Sequence, residues 1–135
     1  MNKKQIGIGV IVVLTKGDKI LLGKRKNSIG HGTWSPAGGS LDFGETFEAC
    51  ARRELFEETG LACKNVVQGF ATNNVAIEDG MHYITVVMYA DYVAGEPKLA
   101  EPEKCDGWQW FDFDKLPHPL FLPFRNFLLQ RERDI

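Results

Sequence analysis

Several things are scarce in this chain, and each scarcity closes off a class of protein. Cysteine occurs three times, at Cys50, Cys63 and Cys105. The count is odd and no C-x-x-C spacing is present, so neither a disulfide framework nor a zinc ribbon is spelled out, and reduced thiols in a cytoplasmic protein are expected. Histidine also occurs three times, and His31, His82 and His118 stand singly, each by default a surface or packing residue. A basic excess is missing: 16 Lys and Arg face 18 Asp and Glu, a formal charge of −2. That argues against an extended nucleic-acid footprint. Long apolar runs are missing as well. Ile6–Leu14 falls far short of the ~20 residues of a membrane span and is interrupted by Gly7 and Gly9. The basic start Met1-Asn2-Lys3-Lys4-Gln5 is followed by no small-residue cleavage site. Gly7-Ile8-Gly9 lacks the third glycine of a dinucleotide-binding turn and lies inside a strand pattern. Repeats, low-complexity tracts and linkers are absent.

What remains is an ordinary globular composition, 44% hydrophobic and 25% charged over 135 residues, which suits one domain over residues 1–135. Gly7–Leu14 and Ile20–Arg25 read as strands around a Lys16–Lys19 turn. Asn27–Gly39 reads as a loop because Gly30, Gly32, Pro36, Gly38 and Gly39 punctuate it. A helix is expected over Thr46–Thr59, with Thr46 as N-cap and Gly60 just past the end. Its apolar stripe is Phe47, Cys50, Ala51, Leu55 and Phe56. Val66–Asn73 and Tyr83–Val93 read as strands, and Gly107–Phe111 as a short aromatic one. In the group Trp108, Trp110, Phe111 and Phe113, alternate members should be buried and the others should line a cleft or a dimer face. Leu116–Pro123 is a Pro-rich bend before a terminal helix, Phe124–Arg131. Two helices against a mixed sheet make an α/β or α+β sandwich.

The informative segment is Gly39 to Leu61. It places Glu54, Glu57 and Glu58 at i, i+3 and i+4, on one flank of a helix. Such like charges weaken a helix by roughly 0.2–0.5 kcal/mol per pair unless they are neutralised. A hard divalent cation, Mg²⁺ or Mn²⁺, would do so through carboxylate oxygens.

The segment resembles the Nudix box, G-x5-E-x7-R-E-U-x-E-E-x-G-U with U aliphatic, and matches it at every specified position over residues 39–61. The resemblance extends over nearly the whole chain and implies the α/β/α Nudix sandwich with a mixed sheet. It further implies Mg²⁺-dependent hydrolysis, with Mn²⁺ as a substitute, of a nucleoside diphosphate linked to another group. By the same resemblance Glu54, Glu57 and Glu58 are metal ligands, joined by the Gly38 carbonyl, and either Glu54 or Glu57 is the general base. Arg53 and Glu45 carry over as a bracing pair that orients the glutamates, and Gly39 and Gly60 as structural positions. A fourth carboxylate is expected from Glu101-Pro102-Glu103-Lys104, with Glu103 as first candidate and Asp106 as second. Ala37 stands where the family usually has proline in Pro-Gly-Gly, which frees the loop and adds an N–H.

Further segments, Leu21–Lys26, Leu41–Glu45 and Glu101 through Trp110, are similar to MutT-like pyrophosphohydrolases. That subgroup implies cleavage of (deoxy)nucleoside triphosphates, oxidised ones such as 8-oxo-dGTP included, to monophosphate and pyrophosphate, often by homodimers. Lys24 and Arg25 are candidates for holding phosphate oxygens. Trp34, Phe121 and Phe124 are candidates for stacking on the base, Thr72, Asn73 and Asn74 for its polar edge, and His82 for a substrate contact. Two alternatives accompany this reading. One is hydrolysis of NADH, ADP-ribose, a nucleotide sugar or dihydroneopterin triphosphate. The other is a non-catalytic nucleotide-binding module, against which the complete box argues.

Overall fold

A computed structural model describes residues 5–26 and 29–133. The basic Met1–Lys4 stretch and the start of the glycine-rich segment, Asn27 and Ser28, lie outside the described residues.

The strands are β1 (Gly7–Lys16), β2 (Lys19–Arg25), β3 (Trp34–Ser35), β4 (Ala37–Ser40), β5 (Cys63–Ala76), β6 (Met81–Tyr92) and β7 (Cys105–Asp112). The α-helices are α1 (Phe47–Thr59) and α2 (Leu122–Arg133). The sheet is mixed: β1 runs parallel to β6 from Gly7–Tyr83 to Thr15–Asp91 and antiparallel to its other partners. On its second edge β1 divides its partners. Gly9–Val12 pair with β4, whereas only Thr15 and Lys16 pair with β2. The second edge of β1 therefore forks, with β4 on one branch and β2, β3 and β7 on the other, while β6 and then β5 extend the sheet from the first edge.

Alternation along β1 feeds two cores. Val10, Val12 and Leu14 join Leu21, Val86 and Met88 beneath Cys50, Ala51 and Leu55 of α1. Ile11 and Val13 join Ile20, Leu22 and Val87 beneath Phe124 and Phe127 of α2. Each of those two rings is fully enclosed, which contributes roughly 1.5–3 kcal/mol apiece. The fold is the mixed sheet with helices on its two faces that the resemblance implied.

The box helix starts and stops where its caps say. Thr46 Oγ1 accepts from the Ala49 N–H at 3.0 Å, worth about 1 kcal/mol, and Gly60 adopts φ 74° while donating to the Phe56 carbonyl at 2.8 Å. Phe56 departs from expectation: it is 64% exposed, because the sheet-facing stripe is complete with Cys50, Ala51 and Leu55. The segment expected to be a loop up to Gly39 holds β3 and β4. Their strand character comes from pairing with distant β2 and β1, which local glycine content cannot reveal. A side chain at Gly38 would lie 2.1 Å from the Val10 carbonyl oxygen, so glycine is what lets β4 reach β1. The aromatic strand alternates between faces, but where one set was expected to be buried and the other to line a cleft or a dimer face, all four are partly buried. Trp108 and Trp110 pack on the α1 core and Phe111 and Phe113 on the α2 core, since both faces of the sheet are covered.

Candidate functional site

Two cavities open on opposite faces of the fork. They share one wall, built from Arg25 and the β3–β4 segment Ser35, Pro36, Gly38, Gly39 and Ser40. The cavity on the α1 face, about 320 Å³, is lined by Glu54, Glu58, Glu101, Lys104, Cys105 and Trp108. The cavity on the α2 face, about 160 Å³, is mainly apolar and is lined by Gly9, Ile11, Met81, Tyr83 and Phe121, with Thr85 among them.

Helical periodicity brings the acidic group together. Arg53 Nε and Nη2 grip Glu45 at 2.7 and 3.0 Å, Nη1 reaches Glu54 at 2.8 Å, and Nη2 also donates to the Ser40 carbonyl at 3.2 Å. One guanidinium thus joins the box loop, β4 and the helix flank. The Arg53 hydrogen bond holds the Glu45 carboxyl down at about 2, and the reciprocal bond raises Arg53. Glu54 shifts the other way, upward, because burial outweighs its bond to Arg53. Glu58 is raised further, first by burial and then by the facing charges of Glu54 and Glu101, against a stabilising Gly38 N–H bond of 3.0 Å to Oε2.

Among the described residues no three Asp, Glu, His or Cys side chains are gathered into a finished metal cage. Glu57, expected as a ligand, is half-exposed and turns to Arg53 Nη1 at 3.3 Å. Glu103 is exposed; Glu101 from the same Glu-Pro-Glu-Lys turn is the one that lines the cavity. The donor set nevertheless fits a hard divalent cation. Glu54 and Glu58 present oxygens alone, and burial leaves both short of compensating positive charge. A side chain at Gly39 would lie 2.5 Å from the Glu54 carboxyl carbon, so the missing Cβ leaves that carboxylate its place.

The remaining expected residues divide. Arg25 is half-buried, lines both cavities and lies over the Phe121 ring at 4.1 Å, its Nε donating to the Ile29 carbonyl at 2.9 Å. Lys24, next along the strand, points to solvent as alternation dictates. Phe121 lines the smaller cavity. Phe124 does not; it is wholly enclosed, stacked on Phe127 at 6.0 Å, since its helix position faces the sheet. Trp34 packs edge-on against Phe111 in that same core. Asn73 is exposed, with Oδ1 2.7 Å from His82 Nε2, and neither lines either of these two cavities. Thr72 and Asn74 are buried beneath the smaller cavity rather than on its wall. Sequence reasoning missed Thr85 and Met81; the available signal was a hydroxyl residue inside the apolar run of β6.

The NUDIX domain family model matches residues 3–130. The chain is 36% identical over 107 residues to an oxidized purine nucleoside triphosphate hydrolase of Danio rerio, covering 79% of this chain and 67% of that protein. It is 38% identical over 108 residues to the NAD-capped RNA hydrolase NudC of Haemophilus influenzae, there covering only 39% of the relative's length. Among solved structures, a MutT NUDIX hydrolase from Burkholderia pseudomallei superposes with a TM-score of 0.81 at 32% identity, covering 86% of this chain and 90% of that one. Box, fold and relatives agree that the chain belongs to the Nudix hydrolase family.

Proposed function

We propose that the protein is a Mg²⁺-dependent pyrophosphohydrolase, with Mn²⁺ as a substitute, that cleaves (deoxy)nucleoside triphosphates to monophosphate and pyrophosphate. The observation that carries this reading is the pair of chemically unlike cavities across one wall. The acidic one suits a cation-bound polyphosphate, and the small, mainly apolar one suits a single heterocycle. Similarity to the zebrafish oxidized purine nucleoside triphosphate hydrolase supports such substrates, oxidised ones included.

Glu54, Glu58 and the Gly38 carbonyl would hold the cation, with Glu57 and Glu101 or Glu103 completing the set. When bound, the cation supplies an activated water and offsets charge developing on the phosphoryl oxygens. The oxygen of the attacking water forms a new bond to a phosphorus of the anhydride as Glu54 takes its proton, and the bridging P–O bond breaks with its electron pair leaving on the departing phosphate group, giving monophosphate and pyrophosphate. Arg53 fixes the orientation of Glu54 through the 2.8 Å bond. Arg25, in the shared wall, holds phosphate oxygens beside the base. The same reading carries a cytoplasmic homodimer; no described helix is long and apolar enough to cross a membrane.

The Haemophilus relative supports a second reading, cleavage of a dinucleotide. Profiling with Mg²⁺ over standard and oxidised dNTPs, NTPs, NADH, ADP-ribose and dihydroneopterin triphosphate separates the two. Monophosphate plus pyrophosphate from a triphosphate is expected. Two monophosphates, released preferentially from NADH, would overturn the substrate assignment.

A further inference from the structure

We infer that Thr85 is a specificity-determining residue, its hydroxyl oriented as a donor by a buried Asn126–Asn74 relay so that it receives a ring carbonyl oxygen of the substrate base. The inference rests on the nucleoside reading of the smaller cavity.

Asn74 is 0% exposed, and its Nδ2 has four acceptors within reach. Two are backbone carbonyls, Thr72 O at 3.3 Å and Tyr83 O at 3.2 Å; two are hydroxyls, Thr72 Oγ1 and Thr85 Oγ1, each at 3.0 Å. A carbonyl can only accept, so the amide must present its NH₂ group to this side; the flipped orientation would set oxygen against oxygen. Asn126 Nδ2 on α2 then donates to the free Asn74 Oδ1 at 2.9 Å and fixes that choice from behind. Thr85 Oγ1 consequently faces a donor and accepts from it. Its own hydrogen has no acceptor among the described hydrogen bonds and is left to turn elsewhere.

The open direction is the cavity. Thr85 is 2% exposed yet lines it, beside its strand partner Gly9. A Cβ on Gly9 would sit 3.5 Å from Thr85 Oγ1 and roof the hydroxyl; with glycine there it stays open. A recessed donor is best reached by an exocyclic oxygen, which projects beyond the ring outline. An exocyclic amino group there could reach only the second lone pair of Oγ1 and would leave the buried hydroxyl hydrogen without an acceptor, a discrimination on the order of tenfold or more.

The test uses the full chain and equilibrium binding of monophosphates by calorimetry, alongside turnover of the matching triphosphates. The pairs are inosine against adenosine and 8-oxo-deoxyadenosine against deoxyadenosine, the first member of each carrying a ring carbonyl, with an N–H beside it, that the second lacks. Wild type is expected to favour the oxo member of at least one pair by about tenfold. Thr85→Val should bring that ratio within about twofold of unity, while Thr85→Ser retains it. The Val variant should fold, because Asn74 keeps its three other acceptors. Asn126→Ala, which frees the Asn74 amide, should weaken the same ratio rather than only lower both affinities. Equal affinities for both pairs in wild type, or ratios untouched by Thr85→Val, would overturn the inference. If the monophosphates bind with the expected preference but no triphosphate is cleaved, the proposed reaction fails while the Thr85 assignment stands.

Discussion

Arg53 holds both carboxylate oxygens of Glu45, at 2.7 and 3.0 Å, with the same guanidinium that contacts Glu54 at 2.8 Å. The position of one candidate catalytic carboxylate is therefore tied, through Arg53, to a residue nine positions earlier in the chain. Arg53→Lys keeps the charge but loses the fork, and is expected to lower kcat by roughly 10- to 100-fold with KM nearly unchanged. Steady-state kinetics at saturating Mg²⁺ provide the check; a variant that altered KM alone would assign Arg53 to substrate binding instead.

The same pair makes stability sensitive to acid. Glu45 in the folded protein titrates at about 2, below the ~4.3 of an unfolded chain. A depressed carboxyl pKa contributes stability above the unfolded value and loses it as pH falls through the folded one. The melting temperature of Glu45→Gln should lie below wild type at pH 6, and the gap should close between about pH 4 and pH 2. A gap independent of pH would mean the bond contributes through shape and not through charge.

Glu58 runs in the opposite direction. Burial raises its pKa, so the protonated acid is favoured in the metal-free protein, and glutamine resembles that form closely. Glu58→Gln should melt within a few degrees of wild type without metal, yet lose at least 100-fold in turnover. Thermal shift with Mg²⁺ or Mn²⁺ should stabilise wild type and leave the variant unmoved. Near-wild-type activity of Glu58→Gln would remove Glu58 from the metal site.

Adjacent glycines should fail differently. Alanine at Gly38 meets the Val10 carbonyl at 2.1 Å, a backbone atom that cannot step aside, and should destabilise by about 1–3 kcal/mol. Alanine at Gly39 meets the end of the Glu54 side chain at 2.5 Å, which can swing away, so folding should persist while activity collapses. Denaturant melts paired with kinetics on both variants separate the two outcomes.

Phe121 and Phe124 provide a contrast of the same kind. Phe124→Ala should cost about 3–5 kcal/mol of stability, as an enclosed core ring does. Phe121→Ala, on the cavity wall beside Arg25, should raise KM several-fold with a small change in melting temperature. A normal KM in Phe121→Ala would remove that ring from the base site.

How far the sequence could be read depended on the range of the interactions involved. The box helix was legible to the residue because its caps, Thr46 and Gly60, act within a few positions. The Arg53–Glu45 pair was legible too, from the spacing that the resemblance supplies. β3 and β4 were not, since their hydrogen-bond partners lie on β2 and β1 and the glycines that permit the approach look locally like a loop. Glu101 and Glu103 could not be separated in advance: both are acidic and two apart, and the turn geometry decides which one reaches the cavity. Phe124 and Phe121 were ambiguous for the same reason, three positions apart at the start of a helix whose facing was unknown. Thr85 required knowledge of where Asn74 and Asn126 meet, across 52 residues of chain.

The forked sheet separates what varies from what must not. Met81, Tyr83 and Thr85 stand on one side of the β3–β4 wall, and Glu54 and Glu58 on the other. Much of the wall is main chain tied to β1, so it persists whatever side chains surround it. On the proposed function, substitutions around Met81, Tyr83 and Thr85 would change which nucleotide is taken without displacing Glu54 or Glu58. Choice of substrate and hydrolysis would then be adjustable independently, one residue at a time.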